Sequence, residues 1–125
     1  MLAYVMVGSA NLKRSAKFYD AVMDALGYIR TETEKSYIGY GTKRAPDQTV
    51  FYITRPYNRR KASVGNGTMI TLKARSRKAL DAFHAAALAN GGTNEGKPGP
   101  RLDGDPTCYA YARDPDGNKI CACSP

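Results

Sequence analysis

Few side chains in this 125-residue chain could react or hold a metal, and most of those lie in its second half. Cys108, Cys121 and Cys123 are the three thiols. Cys121 and Cys123 with Met69 make a soft donor set that would suit copper(I) or zinc, because thiolate and thioether favour soft ions. Burial as small hydrophobes is the plainer account of the same cysteines. A nucleophilic thiol needs a base within hydrogen-bond reach. The single histidine, His84, lies four residues after Leu80 on a helical stripe, where it would pack at the helix flank and not beside a cysteine. Asp103, Asp105, Asp114 and Asp116 fall in loops and turns rich in Gly and Pro, where carboxylates cap backbone N–H groups.

Nineteen Lys and Arg against eleven Asp and Glu give a net charge of +8. That balance attracts anions and could favour nucleic acid. The cations are scattered except for Arg55, Arg59, Arg60 and Lys61, and no nucleic-acid-binding motif accompanies them, so a solubilising surface is expected. An odd number of cysteines and no basic, apolar leader point to reduced thiols in a cytoplasmic protein. No stretch is long and apolar enough for a membrane span.

The elements that must position these groups follow from periodicity. Ala3 to Val7 reads as a short strand, Asn11 as a helix cap, and Leu12, Ala16, Tyr19, Val22, Met23 and Leu26 as the apolar stripe of a helix stopped by Gly27. Tyr28 to Glu32, Ser36 to Tyr40 and Gln48 to Thr54 read as three more strands. The grammar restarts with a strand from Thr68 to Ala74, the cap Ser76, a stripe of Leu80, Phe83, Ala87 and Leu88, and the stop Gly91-Gly92. Asn11 and Ser76, Phe18 and Phe83, and Gly27 and Gly92 each differ by 65 positions, which identifies a duplicated βαβββ unit. A Gly/Pro-rich loop from Gly96 to Asp105, a strand from Thr107 to Arg113, the turn Asp114-Pro115-Asp116-Gly117 and a strand from Lys119 to Cys123 complete the second copy. Neither unit could bury its sheet face alone, so both should share one core in a single α+β domain. The units span residues 1–55 and 67–125, with a basic linker between them.

This order of motifs resembles the vicinal oxygen chelate superfamily, which includes glyoxalases, bleomycin resistance proteins and dioxygenases. The resemblance rests on Asn11-Leu12-Lys13-Arg14-Ser15 followed by Phe18-Tyr19, on Asp81 to Ala87 with its double glycine, and on Arg113-Asp114-Pro115-Asp116-Gly117-Asn118-Lys119-Ile120. It implies a curved, cup-like mixed sheet with the helices on its outer face, a homodimer, and a divalent metal held from the first and last strand of each unit by His, Glu or Gln. The corresponding positions here are Tyr4, Tyr52, Met69 and Cys121, and Tyr4 and Met69 again differ by 65. Phenol and thioether are poor ligands for a hard ion, so no metal or other cofactor is expected.

Strand alternation puts Tyr4 with Met6, Tyr52 with Thr54, Met69 with Thr71, and Cys121 with Cys123 on the inner face. These side chains either line a pocket for a small anionic or aromatic molecule, with Arg55 at its rim, or fill the old cavity. Three functions stay open. One is metal-independent binding, with bleomycin itself disfavoured because ligand and protein are both cationic. The second is a metal-dependent lyase or dioxygenase with an altered ligand set, and the third is a dimeric scaffold.

Overall fold

The computed structural model describes residues 1–125. The first unit comprises β1 (Val5–Gly8), α1 (Leu12–Leu26), β2 (Tyr28–Thr33), β3 (Tyr37–Thr42) and β4 (Phe51–Thr54). The second repeats the order with β5 (Ile70–Lys73), α2 (Arg77–Ala89), β6 (Thr93–Pro100), β7 (Cys108–Arg113) and β8 (Lys119–Ser124). Both helices start as their sequences require. The side chains of Asn11 and Ser76 accept from the N–H groups of Arg14 and Ala79 at 3.0 and 3.1 Å, satisfying donors that a first helical turn leaves free.

Each unit builds one four-stranded mixed sheet, ordered β1-β4-β3-β2 in the first and β5-β8-β7-β6 in the second. β1 runs parallel to β4 and β5 parallel to β8, and the other pairs are antiparallel. No strand of one sheet is hydrogen-bonded to the other, so the two units form two open sheets and not one continuous sheet. α1 covers the first sheet, α2 the second, and the helices pack on each other. The resulting core is shared: Phe18, Tyr19, Val22, Leu80, Phe83 and Ala87 are fully buried in one cluster drawn from both units. Burying a side chain of Phe or Leu size contributes about 1.5–3 kcal/mol.

A polar clasp joins the units beside that core. Asp114, buried in the β7–β8 turn, accepts from the N–H groups of Asp116 and Asn118 and from the Asn118 amide. It also accepts from the hydroxyl of Tyr19 on α1 at 2.6 Å. Asn118 Nδ2 donates onward to the Gly8 carbonyl at 2.9 Å, and Asp116 pairs with Arg14 and accepts from Ala10 N–H and the Ser15 hydroxyl. Asp114 thus caps its own turn as expected, whereas Asp116 turns outward from it and holds the start of α1. Burial, followed by the charge of Asp114, pushes the Tyr19 hydroxyl well above its ordinary pKa, so it stays a proton donor.

Three expectations need correction. The stretch after Gly96 is not all loop, because β6 continues to Pro100. It is an edge strand with register shifts on both sides of Gly96, and an edge tolerates the missing donors of Pro98 and Pro100. α2 also ends earlier than its counterpart. Its left-handed stop is Gly91 (φ 92), while Gly92 N–H reaches back to the Ala87 carbonyl. Leu88 is exposed, and His84 takes the buried place beside Phe83, its Nε2 2.9 Å from Asn94 Oδ1.

Candidate functional site

The faces turned away from the helices carry the chemistry. On β4, Phe51 and Ile53 point into the core, which leaves Tyr52 and Thr54 on the open face. Tyr4, just before β1, meets the Tyr52 ring edge-on at 5.1 Å between centroids, and Tyr37 of β3 does the same from the other side at 5.6 Å. Gly39 lies opposite Tyr52 in the register, and a β-carbon there would come within 3.2 Å of the Tyr52 ring and 2.5 Å of Thr49. The glycine is what lets the ring lie across the neighbouring strand. The Tyr52 hydroxyl donates to Glu32 at 2.8 Å, and Thr49 donates to the same carboxylate. Those two hydroxyls hold Glu32 below the usual carboxylate range, and the bond to Glu32 raises Tyr52.

The second sheet also carries tyrosines on its open face, but one strand over, on β7 and not on β8, the counterpart of β4. Tyr109 and Tyr111 of β7 stack at 6.3 Å, and Tyr111 lies over Gly96 of β6 as Tyr52 lies over Gly39. Cys121 is opposite Tyr111 and Cys123 opposite Tyr109. Lys119 Nζ sits 5.6 Å from the centre of the Tyr111 ring, and Arg101 Nη1 donates to the Tyr111 hydroxyl at 3.4 Å. Cys121 is fully buried, and burial pushes its thiol pKa up, so it is protonated near neutral pH and a weak nucleophile.

The expected site residues therefore fall into two groups. Tyr4 and Tyr52 touch on the first sheet, and Met69 and Cys121 belong to the second. Met6 pairs with Tyr52 and Thr71 with Cys121, so the registers make Tyr52 and Cys121 equivalent places in the two units. Arg55 lies just past β4, exposed, with its backbone N–H bonded to Ser36 O and its guanidinium in no ion pair. Nowhere do three His, Cys, Asp or Glu side chains come together as a metal would need. Two phenols, a thioether and a protonated thiol do not fit a hard divalent ion. Glu32, Tyr37, Tyr109, Tyr111 and Arg101 are additional residues of these faces.

Among solved structures, the chain is similar to a glyoxalase/bleomycin resistance protein from Albidiferax ferrireducens T118. The two are 44% identical, the match covers 100% of this chain and 98% of that one, and the TM-score is 0.89. This chain belongs to the glyoxalase/bleomycin resistance protein family. A glyoxalase-related enzyme from Fulvimarina pelagi shares the fold at 18% identity and a TM-score of 0.74, over 100% of this chain and 88% of that one. A glyoxalase I variant from Zea mays matches at 25% identity and a TM-score of 0.69, covering 98% of this chain and 45% of that one. No protein-family model and no curated protein matches the chain. Family membership fixes the architecture, whereas activity depends on the side chains above.

Proposed function

We propose that this member of the glyoxalase/bleomycin resistance family binds a small anionic or aromatic organic molecule through its tyrosine-lined sheet faces, without a hard metal ion. The observation that carries this reading is the ring contact of Tyr4 with Tyr52, at positions where the family resemblance implies donors for a metal, as it does for Met69 and Cys121 in the second unit. Phenol rings offer apolar contact and a hydroxyl, so they suit a flat, electron-rich ligand. Cations for a carboxylate or phosphate end are at hand in Arg101 and Lys119 beside Tyr111, and in Arg55 at the edge of the Tyr52 face.

The same faces favour a homodimer. Tyr4, Met6 and Met69 are 54%, 49% and 42% exposed, a large apolar area for a chain of this size to leave in water. No cofactor enters this account. Elemental analysis of the protein purified without chelator tests it: no stoichiometric nickel, zinc, iron or manganese is expected. A stoichiometric hard divalent metal would overturn the reading in favour of a lyase or dioxygenase. Copper or zinc that disappears in Cys121→Ser would point to the soft donor set.

A further inference from the structure

A concavity that shares no residue with the tyrosine faces opens where the two units meet at the C-terminal end of α1. Its volume is about 500 Å³, within the range of small-molecule sites. Gly27 and Tyr28 line it from the α1–β2 junction, Thr42 and Arg44 from the end of β3, and Lys73 and Arg75 from the end of β5. Three cations thus converge from both units, no Asp or Glu side chain lines the cleft, and Pro125, the last residue, also lies in its wall. Of the nineteen Lys and Arg, only Arg14, Arg30, Arg77 and Arg113 pair with a carboxylate, so what sets the cleft apart is the gathering of three cations in one concavity. Arg44, Lys73 and Arg75 pair with none. Held together in a concavity, like charges repel each other, and an anion would relieve that repulsion.

Neutral donors stand beside them. Thr42 Oγ1 accepts from Ala45 N–H, which leaves its own proton free to donate. The Tyr28 hydroxyl makes only a long contact, 3.5 Å, to the Lys73 carbonyl, and burial raises its pKa, so it keeps its proton. The Arg75 guanidinium lies against Gly27, with Nη2 3.5 Å from where a β-carbon would stand. We propose that this cleft binds a phosphate group, either free or carried by a small phosphorylated metabolite. Guanidinium groups match phosphate oxygens two at a time, and the hydroxyls supply the remaining donors. The cleft is larger than a phosphate ion, so an ester should bind more tightly than the free ion.

Amide NMR titrations of the full chain with inorganic phosphate, pyrophosphate and glycerol phosphate test this, with chloride and acetate as controls at one ionic strength. Constant salt matters because exposed charges are screened over about 10 Å at 0.1 M. Expected are saturable shifts at Gly27, Tyr28 and Ala74 with the phosphate compounds, retained in Tyr52→Ala. Affinity should fall roughly tenfold or more in Lys73→Gln/Arg75→Gln, which removes two charge-assisted contacts at exposed positions. If that double variant melts early, Arg44→Gln carries the same expectation. Shifts that do not saturate, that chloride and acetate reproduce, that centre on Arg59 to Lys61, or that survive these substitutions would overturn the proposal.

Discussion

Tyr52 and Glu32 give the residue-scale account its sharpest consequence. Hydrogen bonds from Thr49 and Tyr52 lower the Glu32 pKa in the folded protein. A carboxylate depressed on folding contributes stability that is complete above its unfolded pKa and is lost as pH falls through the lower folded value. The Tyr52 ring resonances should therefore move with pH about a midpoint below the ordinary carboxylate value of about 4.3. A midpoint at or above that value would mean that the bond is absent in solution. Tyr52 was legible as a site residue from alternation alone, but Glu32 was not. A bulge in β2 pairs Arg30 with Tyr40 and Glu32 with Gly39, and this extra residue breaks the period-two rule that would have assigned its face. Tyr109 and Tyr111 were within reach, since they alternate with the buried Ala110 and Ala112.

At the scale of elements, two glycines that look equivalent in the repeat do different work. Gly27 has φ 86, and a β-carbon there would make only ordinary contact with the Arg75 guanidinium, so Gly27→Ala should cost about 1–2 kcal/mol, the penalty of a left-handed backbone for a residue with a β-carbon. Gly92 has an ordinary φ, but a β-carbon there would sit 2.6 Å from the Phe18 ring, 2.7 Å from the Ala87 carbonyl oxygen and 2.8 Å from that of Arg113. Two of those neighbours are backbone and cannot swing aside. Gly92→Ala should be the more damaging change, about 2–3 kcal/mol by urea denaturation, as overpacking of a tight site typically is. Equal effects would contradict the difference seen here. Both helices and seven of the eight strands were readable from caps, stripes and turns. β6 was not, because Gly96, Pro98, Gly99 and Pro100 carry a loop's composition, and only its edge position lets it pair. The clasp around Asp114 was hidden for another reason: its partner Tyr19 is 95 positions away, and no local pattern reports such a contact.

For the whole molecule, duplication explains why one core serves two units while two sheet faces stay open. Covering those faces with a second copy predicts a dimer, so light scattering at micromolar concentration should give twice the 13.6 kDa chain mass. The monomer mass would contradict it. The broadest claim is that the family's scaffold here holds an organic ligand by tyrosine rings and not through a metal. The most direct measurement is a thermal-shift screen of aromatic acids and glutathione conjugates, none carrying a phosphate, run with and without chelator on wild type, Tyr52→Ala and Arg55→Ala. The account predicts hits among anionic or aromatic compounds that chelator leaves unchanged and that Tyr52→Ala abolishes, with a smaller loss in Arg55→Ala. Hits that vanish with chelator, or that persist undiminished in both variants, would contradict it.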